Sequence, residues 1–168
     1  MPEPPTFFIA VRERGTVTLL VPFDDSPLSR AALRRASEFG EFMDQEVVAL
    51  TVIPEGDLDY VEEHGWLTER TPFTVDAIAD RLANRTREVA PNARFRYETL
   101  ADEEGEEPVA TRTLDVVRKV REVAHDEDAS ILFLGSENAG RVTSPLSSVG
   151  SPLSEDAAYD IHIVRHAD

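Results

Sequence analysis

Strongly apolar segments alternate along this chain with segments whose apolar residues recur at helical spacing. The strand-like segments are residues 16–22, 46–53, 94–100, 130–134 and 161–165. The first two are too apolar for a sheet with one solvent-exposed face, and such runs are typical of central strands in a parallel sheet. The alternation therefore predicts βαβ units arranged around one parallel sheet.

The helical segments carry apolar stripes with a period of about 3.6 residues. They cover residues 27–42, 75–89, 111–125 and 152–159. Ser26 followed by Pro27 is a helix-start signal, because serine caps a helix and proline is well suited to its first position. The stripes include Met43 at the end of the first helix and Leu114 in the third, so both side chains are expected in the core.

Residues 54–72 are acidic and contain Gly56, Gly65 and Pro72, which predicts a long irregular connection. With right-handed crossovers, the simplest topology is a doubly wound, five-stranded parallel sheet in the order 3-2-1-4-5 with helices on both faces. The sequence thus predicts a single α/β domain over residues 16–168, preceded by an N-terminal extension over residues 1–15.

Acidic side chains outnumber basic ones, with 33 Asp and Glu against 17 Lys and Arg, for a formal net charge of −16. A surface this acidic repels phosphate backbones, so nucleic acid is not expected as a partner. Lys119 is the only lysine. This composition is similar to that of proteins from organisms with molar salt in the cytosol, where the Debye length is about 3 Å and self-repulsion is screened. We expect a halophilic protein; the alternative is an acidic mesophilic one.

The chain has no cysteine, which excludes disulfides and thiolate metal sites. No apolar run approaches the roughly 20 residues that a membrane span needs. Residues 1–5 lack the basic region and apolar stretch of a signal peptide. We therefore expect a cytoplasmic protein with no membrane partner. The four histidines are scattered, and no metal site made of side chains alone is expected.

Two segments carry candidate binding chemistry. Asp24 follows the first strand, where the crevice of an open α/β sheet holds ligands; a helix-entry cap is its alternative role. Residues 135–154 are rich in glycine and serine, and such a turn lets backbone N–H groups approach an anion closely. Arg141 is the only cation in this segment. The segment therefore favours binding of a phosphate chain over its rapid cleavage, and a surface loop without a ligand is the alternative.

Three stretches of the sequence resemble the universal stress protein family. Residues 20–26, LVPFDDS, are similar to the end of the family's first strand: aliphatic residues, proline, any residue, aspartate and a helix-opening serine. Residues 131–151 resemble the family's nucleotide loop, in which two glycines separated by two residues are followed, nine residues later, by Gly-Ser or Gly-Thr. Residues 161–165 are similar to the family's final strand.

The resemblance implies a homodimer, formed through the last strand, that serves in stress response or signalling. It also implies ATP or a related adenine nucleotide as ligand, with Mg²⁺ or Mn²⁺ held through the phosphates. Enzymatic activity would be at most that of a slow ATPase, since no general base or phosphate-binding lysine stands out. In this resemblance, Asp24 faces the nucleoside and the Val52 backbone reads the adenine edge. The implied nucleotide-binding residues are Pro22, Asp24, Val52, Gly135, Gly140, Gly150, Ser151 and Ser154.

The sequence departs from the family's nucleotide loop in two ways. Gly135 and Gly140 are separated by four residues instead of two. Pro152 directly follows Gly150 and Ser151, and it removes one backbone donor from the first turn of the following helix. These departures leave a second hypothesis open, in which the chain is a dimeric regulatory module of the same family that has lost nucleotide binding.

Overall fold

The fold is known from a computed structural model, which describes residues 17–69, 73–101, 109–136 and 159–167. Its strands are β1 Thr18–Pro22, β2 Glu46–Pro54, β3 Arg94–Leu100, β4 Ala129–Gly135 and β5 Asp160–Val164. They form one parallel sheet in the order β3-β2-β1-β4-β5. The predicted α/β class, strand order and central position of the first strand are confirmed.

The described helices are α1 Pro27–Met43, α2 Leu58–Glu63, α3 Val75–Val89 and α4 Val109–Asp126. Helix α1 begins as predicted, because the Ser26 hydroxyl accepts a hydrogen bond from the backbone N–H of Ser29 at 3.2 Å. The prediction of a wholly irregular connection over residues 54–72 was wrong, since it contains α2. Asp57 caps this helix by accepting from the N–H of Tyr60 at 2.9 Å, a short-range signal that the glycines of the segment obscured. The helix predicted near residue 152 lies outside the described residues.

Two apolar cores flank the sheet, one on each face. Leu19 and Val21 point into the core beneath α1 and α3, which also contains Leu33, whereas Leu20 points into the core beneath α4. All of these side chains are fully buried. Side chains alternate between the two faces of a strand, so burial on both faces accounts for the nearly continuous apolar run of β1.

Two side chains expected in the core are exposed instead. Met43, at the last position of α1, is 44% exposed, and Leu114, near the start of α4, is 48% exposed. Helical periodicity assigns a residue to one face of a helix, but burial also requires a neighbouring element, which a single helix's pattern does not reveal. Within the described ranges, no helix combines the length and apolarity needed to cross a membrane.

Candidate functional site

The two central strands end at different heights, and this difference opens a crevice. Strand β1 pairs with β2 only as far as Pro22, whose partner is Leu50. Strand β2 continues beside β3 to Pro54. On its other side β1 pairs with β4, so successive crossovers leave β1 in opposite directions, which makes this the switch point of the sheet. We call the space beyond the carboxyl ends of β1 and β4, beside the extended end of β2, the switch-point crevice.

The backbone of Val52 faces this crevice. The carbonyl of Leu50 points toward β1, since it accepts a hydrogen bond from the N–H of Phe23 at 2.7 Å. In a parallel strand, residues two positions apart direct their N–H and C=O groups to the same side. Val52 therefore presents both groups on the side where β1 has already ended. The Val52 side chain is buried in the core beneath α4, so only its backbone is available to a ligand.

Asp24 lies at the mouth of the crevice, held by the start of α1. Its carboxylate accepts a hydrogen bond from the N–H of Ser26 at 3.0 Å. Its own N–H donates to the hydroxyl of the buried Ser29, at 3.4 Å. Asp24 thus combines the cap-like role and the crevice position that the sequence presented as alternatives.

The environment of Asp24 keeps its carboxyl group ionised. Burial alone would raise its pKa, but hydrogen bonds from Ser26 and Ser29, together with the charge of His64, lower the pKa below its ordinary value. A half-buried carboxylate in this state is an acceptor for hydroxyl or amino groups of a ligand.

The next residue, Asp25, holds the turn in place. Its backbone is left-handed, with φ of 64°, a conformation that aspartate tolerates better than most residues. Its carboxylate accepts from Arg30 Nε at 2.7 Å and from Arg85 Nε at 3.1 Å, which ties the turn to α1 and α3. Since its side chain is only 12% exposed, Asp25 serves the structure of the turn and not a ligand.

Three rings from the segment after β2 form an aromatic wall beside Asp24, defined as Tyr60, His64 and Trp66. The rings of Tyr60 and His64 are stacked with centroids 4.1 Å apart, and the rings of His64 and Trp66 are 5.1 Å apart. Trp66 is buried, and its Nε1 donates to the carbonyl oxygen of Asp24 at 2.9 Å. This wall was not assigned to the site from the sequence, because no local pattern pairs residue 66 with residue 24.

Gly135 ends β4 at about the level of Phe23. The presence of glycine at this position is explained by packing. A Cβ at this position would lie 2.7 Å from the Cβ of Leu28 on α1. The glycine therefore lets helix and strand approach closely, whether or not its backbone also meets a ligand.

The structure thus brings part of the predicted site together. Pro22, Asp24, Gly135 and the Val52 backbone border the switch-point crevice. The other predicted residues, Gly140, Gly150, Ser151 and Ser154, lie outside the described residues. In the part of the chain that is described, no group of three or more His, Cys, Asp or Glu side chains is placed to hold a metal ion.

A parallel sheet of this order, with its switch point between β1 and its neighbours, is a doubly wound α/β fold. The sequence matches the universal stress protein family over residues 17–165, and the chain belongs to that family. Among curated proteins, none matches this chain.

Solved structures of universal stress proteins share the fold. One from Archaeoglobus fulgidus has a TM-score of 0.56 and 15% sequence identity, and the match covers 94% of this chain and 99% of that chain. A universal stress protein in complex with cAMP has a TM-score of 0.51 and 19% identity, covering 90% of this chain and 98% of that chain. The protein UspA from Lactobacillus plantarum has a TM-score of 0.50 and 19% identity, with coverage of 89% and 97%. At these identities the likeness establishes the fold.

Proposed function

We propose that this protein binds an adenine nucleotide in the switch-point crevice and acts as a stress-response or signalling module. The observation that carries the proposal is that the Asp24 carboxylate and the backbone N–H and C=O groups of Val52 border the same crevice. A carboxylate accepts hydrogen bonds from ribose hydroxyls, and an adjacent N–H and C=O match the acceptor and donor on an adenine edge. A similar structure was solved in complex with cAMP, which supports the same class of ligand.

The phosphates are assigned to the backbone and hydroxyl groups of Gly140, Gly150, Ser151 and Ser154, on the family resemblance of that loop. A glycine-rich turn before a helix suits anions because its N–H groups and the helix dipole converge there. A divalent ion, Mg²⁺ or Mn²⁺, would be held through the phosphate oxygens. Hydrolysis would be slow at most.

A second candidate function is a regulatory module that has lost the nucleotide. The close packing of Gly135 against Leu28 favours it, because this glycine is explained without a ligand. The long Gly135–Gly140 spacing and Pro152 favour it as well.

Mass spectrometry of nucleotide that co-purifies with the protein in high salt, followed by calorimetry with ATP and Mg²⁺ in KCl, separates the two candidates. Asp24→Ala and Gly150→Val should each weaken binding about 10- to 100-fold, since a hydrogen bond to a charged group contributes about 1.5–3 kcal/mol. Asp80→Ala is the matched control, because Asp80 is exposed on α3. Absence of both heat and co-purifying nucleotide would favour the second candidate.

We further propose a cytoplasmic homodimer formed through β5. This strand lies at one edge of the sheet, and its Ile163 is 38% exposed, so a second copy could bury it. The acidic composition supports adaptation to high salt.

A further inference from the structure

The chain that follows β2 crosses the carboxyl edge of the sheet beside the switch-point crevice. We call residues 55–66, which include α2, the strap. The strap begins directly after Pro54, two residues beyond Val52. Its last residue, Trp66, donates from Nε1 to the carbonyl oxygen of Asp24 at 2.9 Å. The two ends of the strap therefore meet the two sides of the crevice, which are the end of β2 and the turn after β1.

The strap is fastened on both faces of the sheet. Asp57 Oδ2 lies 3.2 Å from Arg112 Nε, and the two side chains are 24% and 12% exposed. Arg112 belongs to α4, which packs on the face that contains the Val52 side chain. Val61 and Trp66 are buried in the core on the other face, beneath α1 and α3. The strap thus passes over the edge of the sheet from the side of α4 to the side of α1.

The strap depends on these contacts for its structure. Helix α2 has six residues, and an isolated helix shorter than about 12–15 residues is marginal in water. Glycines with left-handed backbones lie on both sides of it, Gly56 with φ of 72° and Gly65 with φ of 67°. Because so short a helix does not persist away from its anchors, release of one anchor should loosen the strap as a unit, in a local unfolding reaction.

We infer that the strap is the outer wall of the crevice beside Val52 and that the Asp57–Arg112 pair sets how often this wall opens, an inference that rests on the proposed function. A base placed against the Val52 backbone lies between the two ends of the strap, so it enters and leaves while the strap is open. The pair holds the strap both with and without a ligand. Its loss should therefore raise the rates of association and dissociation together and leave Kd nearly unchanged.

The first measurement follows opening of the strap without a ligand. Trp66 is the only tryptophan of the chain, so its indole N–H gives one NMR resonance whose hydrogen exchange reports release of the bond to Asp24. Asp57→Asn weakens the ion pair while keeping a good N-cap for α2. Arg112→Gln removes the positive partner. In both variants this N–H should exchange about three- to tenfold faster than in wild type, the range expected for loss of one partly screened ion pair.

The second measurement uses adenosine, an uncharged probe whose binding does not involve a phosphate. Calorimetry gives Kd, and NMR line shapes during the titration give the dissociation rate. In Asp57→Asn and Arg112→Gln the dissociation rate should rise about three- to tenfold, with Kd within about twofold of wild type.

Two further variants show whether these effects come from the pair itself. Arg112→Lys keeps the charge without the guanidinium group and should give rates between those of wild type and Arg112→Gln. Arg118→Gln is the matched control, since Arg118 lies on the same helix, is paired with Asp115 and is 78% exposed. It should leave both the exchange of the indole N–H and the adenosine rates as in wild type. Circular dichroism in the same KCl solution establishes that each variant is folded.

The outcomes separate the inference from the function on which it rests. If the indole N–H exchanges at the wild-type rate in both Asp57→Asn and Arg112→Gln, the pair does not hold the strap and the inference is overturned, whatever the protein binds. If exchange is faster but the adenosine rates are unchanged, the strap is not a wall of the binding site, and the inference fails while the proposed function stands. If wild type does not bind adenosine, the proposed function fails and the role of the strap in ligand entry fails with it.

Discussion

The indole N–H of Trp66 donates to the backbone carbonyl of Asp24 across 42 positions of sequence, with 2.9 Å between Nε1 and the oxygen. The bond joins the segment that follows β2 to the turn that follows β1. Asp24 thus uses its carbonyl to fix the aromatic wall, while its carboxylate accepts a hydrogen bond from the N–H of Ser26. A core contact and the candidate site are built on the same residue.

Replacement of Trp66 should measure what this bond contributes. Trp66→Phe leaves the Asp24 carbonyl without its donor, and we expect the free energy of unfolding to fall by about 1–3 kcal/mol. Trp66→Ala should lower it by about 3–5 kcal/mol, because a large cavity remains. Urea unfolding measures both. Phe42→Ala, at a side chain that is 92% exposed, is the control and should change stability by less than about 0.5 kcal/mol. If Trp66→Phe is as mild as this control, the bond adds no stability.

The lowered pKa of Asp24 gives stability a defined pH dependence. A carboxyl group whose pKa is lower in the folded state contributes stability above its unfolded pKa, about 3.9, and loses it as the pH falls through the folded value. We expect Asp24→Asn to be less stable than wild type near neutral pH, and the difference to shrink as the pH falls below the unfolded pKa and through the lower folded value. Urea unfolding of both proteins across this range is the measurement, and a difference that stays constant with pH would contradict the assignment.

The contribution of Glu127 to stability, at the opposite end of the sheet, should depend on pH in the same direction as that of Asp24. Burial alone would raise its pKa, but hydrogen bonds from Arg94 and Arg96 lower it, and Arg96 Nη1 lies 2.8 Å from its Oε1. Because the arginines are partly exposed, we expect Glu127→Gln to reduce the free energy of unfolding by only about 1 kcal/mol at neutral pH, and by less in acid. Glu122→Gln is the control, since that side chain is 59% exposed in its pair with Lys119. Equal effects of the two substitutions would show that the arginine bonds to Glu127 add nothing.

The packing of Gly135 can be tested by a compensating pair of substitutions. Gly135→Ala places a methyl group where Leu28 stands, and overpacking of this kind lowers stability by about 1–3 kcal/mol. In the background of Leu28→Gly the same change should be less harmful, because the Cβ that the new methyl group would meet is removed. Thermal unfolding of the four proteins gives the coupling free energy. Additive effects would rule out a direct clash.

Molar salt should stabilise the folded state of the protein relative to the unfolded state. With a formal net charge of −16, repulsion among acidic side chains opposes folding, and molar KCl reduces the Debye length to about 3 Å. Screening also weakens pairs such as Arg94–Glu46, so the melting temperature reports the balance of the two effects. We expect it to rise from dilute buffer to molar KCl. An unchanged or lower melting temperature would contradict adaptation to high salt.

The sequence by itself determined the strands, the three long helices that the structure describes and the strand order. These follow from local causes: the burial of β1 on both faces gives a continuous apolar run, and Ser26 with Pro27 marks the start of α1. Motifs within a few residues, such as the one around Pro22 and Asp24, could be recognised for the same reason. The short helix α2 was missed because six residues carry too little periodicity to outweigh the glycines around them.

Only the tertiary structure decided what surrounds Asp24. The bond from Trp66, the position of His64 and the clamp of Asp25 by Arg85 join residues that are far apart in the chain, and no spacing rule connects them. The exposure of Met43 and Leu114 was decided in the same way, because a helical stripe is buried only where another element covers it. Gly135 shows the difference most directly: the sequence presents a glycine beside a loop, and the Leu28 side chain brought against it by the α1–β4 packing explains why no larger residue fits.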